Sequence, residues 1–334
     1  MILVTGATGF LGAHLVHQLS QNHKKVRALY RSQKRFEQVK EVFSYYTQDV
    51  EAVFDRIDWV ECDINDVFRL NQIMDNITEV YHVAGLINFE WSELDRLKKI
   101  NVEGTANIVN ACLAHQIQKL FYVSSIAAIG QNTAEGTEDL SDGASETFED
   151  PYALTKYGGE MEVWRGQQEG LDVLIIRPGV ILGEGYWHSG SGKLIKHAAK
   201  RPLFYPMGGT GFIDVRDVVR HGIALMEGPA QNKAFIFVSH NAAFRQILDQ
   251  LCDNFTQPKP QIKAPRSLLI LASNIDFVLS KILRRPQKLP MAYVRAMFRA
   301  SSYDKQTLVR TTGLPMQDIA QTLKRICSLS PYQT

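Results

Sequence analysis

Short apolar, β-branched runs alternate with longer amphipathic stretches through the first half of this chain. That alternation predicts an α/β fold built on a doubly wound parallel sheet. The runs that read as strands cover 2–5, 26–30, 59–62, 80–83, 120–124 and 173–177, and helical spacing of apolar residues predicts helices over 10–20, 66–76, 93–115 and 153–169. Beyond Arg177 the pattern changes: glycines and aromatics crowd 183–192, helical patterning dominates from Phe244 onward, and only 234–238 resembles another strand. The expected organisation is a sheet domain over 1–178, rejoined by 213–238, with a smaller and mostly helical lobe from 179–212 and 239–334.

With 334 residues and 45% apolar content the chain can bury a continuous core, which excludes global disorder. Its 37 lysines and arginines against 35 acidic residues leave no footprint of a dedicated nucleic-acid binder, so a small molecule is the expected partner. Cys62, Cys112, Cys252 and Cys327 lie far apart and form no CxxC pair, which predicts reduced core thiols and no metal site. The opening MILVTGATGF starts a strand at once, with no charged signal region, and a cytoplasmic setting is expected. No apolar run reaches the roughly 18 residues of a membrane span. The nearest, 268–283, is interrupted by Asn274, Asp276 and Lys281; it reads as a helix capping an apolar pocket, with a membrane-surface helix as the alternative. The basic cluster Lys281, Arg284, Arg285 and Lys288 reads as a solvated face.

Directly after the first strand comes Thr5-Gly6-Ala7-Thr8-Gly9-Phe10-Leu11-Gly12, followed by helix-forming residues. Strand, glycine turn and helix in that order suit a pyrophosphate, because bare backbone N–H groups and a helix N-terminus can approach the anion. The expected fold is therefore of the Rossmann type, although the glycine spacing is GxxGxxG and not GxGxxG. After the second strand stands Tyr30-Arg31-Ser32, where an acidic residue would otherwise meet the adenosine ribose. A guanidinium there suits a 2′-phosphate, so NADP is expected ahead of NAD. In Cys62-Asp63-Ile64, the Asp63 carboxylate is placed to accept a hydrogen bond from the adenine amino group or to cap the following helix.

Tyr152 and Lys156 begin a helix at i, i+4 spacing, which puts phenol and ammonium on one face. A nearby cation is expected to lower the phenol's pKa from about 10, making Tyr152 a general acid/base, while Lys156 can also hold the nicotinamide ribose. Upstream, Ser124 and Ser125 stand at the carboxyl end of a strand, where ligands sit in open parallel sheets.

These residues resemble the extended short-chain dehydrogenase/reductase superfamily, its NAD-dependent epimerase/dehydratase branch. The resemblance rests on TGATGFLG, YHVAG at 81–85, Asn101-Val102-Glu103-Gly104-Thr105, VSSIAAIG, YALTK, Arg177-Pro178-Gly179 and FIDVRDV at 212–218. It implies Ser125, Tyr152 and Lys156 as a catalytic triad, with Ser125 preferred over Ser124, and Asn101 as a supporting polar residue. It further implies that His82, Val83, Ala84 and Gly85 flank the nicotinamide and that Pro178 and Val180 follow its carboxamide. Within the superfamily, VRALYRS is similar to dihydroflavonol-4-reductase-like and 3β-hydroxysteroid-dehydrogenase-like members. Ser125-Ile126-Ala127 stands where nucleotide-sugar dehydratases usually carry Thr-Asp-Glu, so water elimination is disfavoured.

Leu86, Ile87, Asn88, Phe89, Ile126, Val180, Trp187, His188 and Phe212 are expected to border the substrate, a mostly apolar set suited to a carbonyl compound with hydrophobic surface. The stretch 183–192 reads as a mobile lip or an irregular connection. The expected function is NADP-dependent hydride transfer to or from a carbonyl or alcohol carbon. A nucleotide-sugar epimerase with retained NAD and a non-catalytic dinucleotide sensor are the alternatives. The helices over 93–115 and 153–169 resemble the pair through which family members dimerise, so a homodimer is expected.

Overall fold

The structure is a computed structural model and describes residues 1–21, 25–130, 148, 150–283, 285, 287 and 289–333. Six strands alternate with helices as the pattern predicts: β1 (Ile2–Thr5), β2 (Val26–Tyr30), β3 (Asp58–Glu61), β4 (Glu79–His82), β5 (Lys119–Val123) and β6 (Val173–Pro178). In the same stretch lie α1 (Phe10–Gln21), α2 (Phe36–Ser44), α3 (Val50–Asp55), α4 (Val67–Gln72), α5 (Leu94–Lys98), α6 (Gly104–Ala114) and α7 (Pro151–Gln168). Beyond β6 come β7 (Val180–Leu182), α8 (Gly192–Ala198), β8 (Phe204–Tyr205), β9 (Gly209–Asp214), α9 (Val215–Glu227), β10 (Lys233–Phe237) and β11 (His240–Ala243). The chain ends through α10 (Phe244–Asn254), β12 (Ile262–Lys263), α11 (Arg266–Ile282), α12 (Met291–Ala296), α13 (Gln306–Thr312) and α14 (Ile319–Leu329).

The main sheet has seven strands in the order β10-β6-β5-β4-β1-β2-β3. Every pairing in it is parallel. One apolar cluster joins α1, α2 and α9 to one face of this sheet, and a second joins α4, α6 and α7 to the other. This is the Rossmann-type, doubly wound architecture that the alternating pattern predicts. Strand order reverses between β1 and β4, which opens a crevice at their carboxyl ends.

Three local expectations change. The stretch 93–115 is not one helix: a π-helical turn over Lys99–Glu103 separates α5 from α6. Such a turn inserts one extra residue into the helical ladder and is frequent at functional sites. Helices α2 and α3, which the strand-centred pattern passes over, fill the connection from β2 to β3. The distal part is mostly helical, as expected, but also carries two small sheets that the pattern does not show: β7, β9 and β11 form one, and β8 pairs with β12 in the other. Glycine spacing hides β9 in the sequence: a side chain at Gly211 would lie 2.4 Å from Val238, so close approach and not strand propensity selects the residue. A third apolar cluster packs this small sheet against α10 and α14.

Candidate active site and cofactor cleft

The glycine loop lies at the switch-point crevice. Gly6 has φ +67°, and a Cβ there would stand 2.6 Å from the Ala84 nitrogen, so the loop closes directly onto the residues after β4. A Cβ at Gly12 would meet the Gly6 carbonyl oxygen at 2.1 Å, which lets α1 begin tight against the loop. The Gly9 N–H donates to the Gly6 oxygen at 2.9 Å. Phe10 and Leu11 form the first turn of α1, and the Tyr186 hydroxyl donates to the Thr8 carbonyl oxygen at 2.7 Å. A bare backbone cradle at a helix N-terminus fits a dinucleotide pyrophosphate.

Arg31 follows β2 and is exposed. Asp63, also exposed, accepts from the Asn65 backbone and side-chain nitrogens at 2.9 and 3.1 Å. It does not cap the next helix: Asp66 does, accepting from Arg69 N at 3.0 Å. Three residues separate a strand-end carboxylate from the cap, and only the turn between them decides which does which. Ile64 is buried beneath Gly104, where a Cβ would lie 2.5 Å from it.

Helix α7 begins with Asp150, which accepts from Ala153 N at 2.8 Å, and Pro151 opens its first turn. This start brings Tyr152 beside Ser125, whose hydroxyl acts on the phenol. Lys156 is buried and donates to the Val123 carbonyl oxygen at 2.6 Å, with its ammonium 4.5 Å from the centre of the Tyr122 ring. Burial pushes the Lys156 ammonium down to about 7, against the opposing pull of Glu160. Burial pushes the Tyr152 phenol up to about 12, and the Ser125 bond offsets part of that rise. The lowering expected from Lys156 is therefore not what this arrangement gives, because desolvation outweighs it and the ammonium is held at the Val123 carbonyl. A phenol raised in this way is a proton donor at neutral pH.

Ser124 and Ser125 have different partners. Ser124 is buried and donates to the Glu160 carboxylate at 2.7 Å, while Ser125 caps the short 3₁₀ turn Ile126–Ile129 and reaches Tyr152. Glu160 in turn forms a buried ion pair with Arg177 of β6. No local pattern marks this triple contact, since Glu160 reads as an ordinary polar position on a helix.

Asn101 projects from the π turn and is almost fully buried. Its amide accepts from Leu86 N at 2.8 Å and donates to Leu86 O at 3.0 Å and to Thr155 Oγ1 at 3.1 Å. It thus fixes the backbone after Gly85, where an added Cβ would lie 3.5 Å from Asn101 Oδ1 and 3.7 Å from Lys156 Nζ.

A buried hydrogen-bond chain links this clamp to the glycine loop. Thr105 donates to the Asn101 carbonyl oxygen at 2.7 Å, so its oxygen accepts from His82 Nε2 at 3.0 Å. His82 then carries its proton on Nε2 and accepts from Thr5 Oγ1 through Nδ1 at 2.7 Å, while Thr5 accepts from Ala84 N at 3.2 Å. Burial holds His82 far below the ordinary histidine range, at about 3, with the Lys156 charge adding to the effect. A neutral imidazole of one tautomer is a structural bridge here.

The expected substrate-lining residues divide. Phe89 packs its ring 5.5 Å from Tyr152 and 4.7 Å from Tyr293, while Ile126 follows Ser125 directly. Leu86 is fixed by Asn101; Asn88 turns inward on its own chain and accepts from Glu90 N at 2.9 Å; Ile87 is exposed. Val83 and Ala84 are half-buried beside Gly6, Pro178 ends β6 and Val180 starts β7.

Trp187, His188 and Phe212 stand elsewhere. Trp187 is buried against Tyr45 and Tyr332 and donates to Glu41 at 2.9 Å, His188 is exposed beside Lys196, and Phe212 is buried against Phe244. Nor does 183–192 form a lip: Glu184 is fully buried among Arg216 and Arg325, Tyr186 is tied to Thr8, and α8 begins at Gly192. An aromatic-rich glycine stretch looks mobile in sequence, but here Trp187 fills the distal core and Tyr186 packs on Phe10 beside the glycine loop. Tyr293, which the sequence did not single out, reaches Phe89 from far along the chain.

All four cysteines are buried free thiols, and the described residues contain no cluster of three or more His, Cys, Asp or Glu able to hold a metal. Arg284 and Lys288 lie outside the described residues, while Arg285 pairs with Asp276 at 2.6 Å. No helix among the described residues is long and apolar enough to cross a membrane.

A glycine loop at the switch point of a Rossmann-type sheet, beside tyrosine, lysine and serine, defines the class of NAD(P)-dependent enzymes of the extended short-chain dehydrogenase/reductase type. Residues 2–237 match the NAD dependent epimerase/dehydratase family, and the chain belongs to that family. It is 29% identical over 329 residues to a putative dihydroflavonol 4-reductase of Synechocystis, with 96% of this chain and 91% of the relative covered. It is 27% identical to sterol demethylase protein B of Methylococcus capsulatus over 80% of this chain and 78% of the relative. In fold it is similar to the UDP-glucose 4-epimerase of Thermotoga maritima solved with UDP-glucose: TM-score 0.74 at 18% identity, over 98% of this chain and 97% of the other.

Proposed function

We propose that this protein catalyses hydride transfer between NADP(H) and the carbonyl or alcohol carbon of a small molecule with apolar surface. The observation that carries this reading is the gathering of functional groups at the carboxyl end of β5, where Ser125 stands by Tyr152 and Lys156 is held at the Val123 carbonyl oxygen beside Gly85. The bound nicotinamide supplies or accepts the hydride. Residues of the Gly6–Gly12 loop hold the pyrophosphate, Arg31 meets the 2′-phosphate, Asp63 and Ile64 border the adenine, and Val83, Ala84, Pro178 and Val180 flank the nicotinamide.

In the reductive direction, Tyr152 gives its phenolic proton to the oxygen of the carbonyl as that carbon gains hydride, and Ser125 donates a hydrogen bond to the same oxygen. A phenol raised to about 12 is protonated at neutral pH, which suits this donor role. Lys156, its ammonium held at the Val123 carbonyl beside Gly85, orders the ribose. Asn101 acts as a positioning residue by holding Leu86. Phe89, Ile126 and Tyr293 give the substrate an apolar wall. Residues 1–178 with 213–238 serve as the cofactor unit, and 179–212 with 239–334 as the substrate lobe. The reductase in the name of the Synechocystis relative supports net reduction over epimerisation. We also infer a homodimer through α6 and α7, which light scattering at micromolar concentration tests.

The direct test follows NADPH fluorescence with a panel of aromatic and alicyclic carbonyl compounds. Wild-type turnover is expected to fall by about 10²–10⁴ in Tyr152→Phe while NADPH binding persists. Tightly retained NAD with no net cofactor consumption would instead identify an epimerase, and full cofactor binding with no turnover across carbonyls and nucleotide sugars would identify a sensor.

A further inference from the structure

Helix α11 is built inside out. Of its 17 residues only Ser273 and Ser280 are buried. Leu268, Leu271, Ile275, Val278, Leu279 and Ile282 are between 41% and 70% exposed. Their spacing of three and four places them on one stripe, down the length of the helix. The stripe does not stand alone: Ile262 of β12, four residues ahead of the helix, is exposed, as are Phe204 of its partner strand β8 and the adjoining Leu203. Contiguous exposed apolar surface of this kind marks an interaction site.

Charge identifies the occupant. Residues 256–303 contain nine lysines and arginines and one acidic residue, Asp276, whereas the whole chain carries a formal net charge of only +2. Lys259 and Arg285 are paired, with Asp253 and Asp276. Lys263, Arg266, Lys281, Arg295 and Arg299 are exposed around the helix. Arg266 and Lys281 lie near the Phe298 and Phe277 rings, at 6.0 and 5.6 Å. A second copy of this face would bring like charge against like charge; an anionic surface would not. An apolar stripe rimmed by cations is the design of a helix that lies in a bilayer interface without crossing it.

We propose that α11 docks this protein on an anionic lipid bilayer, apolar stripe against the acyl boundary and the basic residues against the headgroups. The segment that follows α11 adjoins the cleft: Gln287 N donates to Glu90 at 3.1 Å, and Tyr293 of α12 packs on Phe89, which touches Tyr152. A substrate dissolved in the membrane would therefore meet the Phe89 side of the cleft, a consequence that rests on the function proposed above. The docking itself does not.

The test is co-sedimentation of the full chain with vesicles of phosphatidylcholine alone or mixed with phosphatidylglycerol, without cofactor or substrate. Binding to the mixed vesicles is expected to exceed binding to phosphatidylcholine alone by at least about tenfold and to weaken with added salt. The variant Leu271→Asp/Ile275→Asp/Val278→Asp changes only exposed positions and is expected to lose at least about tenfold in vesicle affinity at unchanged circular dichroism. Lys263→Glu/Arg266→Glu/Lys281→Glu, which leaves the apolar stripe intact, is expected to abolish the preference for phosphatidylglycerol. Absence of binding to both vesicles, equal binding to both, or binding unchanged by either variant overturns the proposal. So does a dimer that the aspartate variant converts to monomer while vesicles are ignored, since that assigns the stripe to a second copy. Loss of reductase activity with vesicle binding retained would count against the proposed reaction alone.

Discussion

Helices α7 and α11 are nearly equal in length, 18 and 17 residues, and both invert the usual placement of polar and apolar side chains. Helix α7 buries Thr155, Lys156 and Glu160; α11 exposes Leu268, Leu271, Ile275, Val278, Leu279 and Ile282. The inversions differ in kind. Each buried polar group of α7 has a partner: Thr155 meets Asn101, Lys156 meets the Val123 carbonyl, and Glu160 meets both Ser124 and Arg177. Burial without partners would cost several kcal/mol per charge, so the network is what makes the buried chemistry affordable. In α11 the apolar stripe has no compensating cover among the described residues, and a partner outside the chain is the simplest physical reason for keeping it.

The two largest expected effects both come from substitutions in α7. Val163→Asp on α7 places an unpaired carboxylate at a fully buried position and is expected to cost more than about 4 kcal/mol, read as loss of a cooperative thermal transition. Glu160→Gln, which strands the Arg177 guanidinium in the interior, is expected to cost about 3 kcal/mol in denaturant unfolding. A shift near zero there would mean that water reaches the pair and that the α7 network is not closed.

Acid should act on the sheet side of the molecule. Burial lowers His14, His17 and His221 to about 4 and His82 to about 3, from an ordinary value of 6.5. These groups take up protons in the unfolded chain first, so stability is fully present above about pH 6.5 and declines as pH falls toward 4. Urea midpoints measured across that window check the sign, and a flat profile would indicate that these imidazoles are open to solvent. Replacing His82 by Gln should flatten part of the decline.

Thr155→Val removes one bond from the Asn101 clamp and is expected to cost about 1 kcal/mol. Smallest of all, Ile275→Asp on α11 should change stability by no more than about 0.5 kcal/mol, because the side chain is already in water. A large loss there would show that the stripe is covered within the chain itself and would erase the contrast with α7.

Much of the sheet was legible because strand and helix periods are local. Runs such as Ile2-Leu3-Val4-Thr5 carry their own signal, and β1 and β2 match the expected bounds, while β3, β4 and β5 are each displaced by one residue and β6 runs one residue longer. The glycine loop and the Tyr152–Lys156 pair were legible for the same reason, since a turn and an i, i+4 spacing are set within a few residues. Trp187 and the 183–192 stretch misled because an aromatic beside glycines has no local mark of what it packs against. Glycine-rich β9 was hidden by low strand propensity.

By itself, then, the amino-acid order determined the elements, the phosphate-binding turn and the face shared by phenol and ammonium, all consequences of backbone geometry over short distances. Tertiary structure alone decided that Ser125 meets Tyr152 while Ser124 meets Glu160, that Asn101 turns inward on a π turn, that Tyr293 reaches Phe89 and that α11 keeps its apolar stripe outward. Those outcomes depend on desolvation and on contacts between residues tens to hundreds of positions apart. No local pattern encodes the sign of a pKa shift set by burial, which is why the sequence expected a lowered phenol and the folded chain raises it.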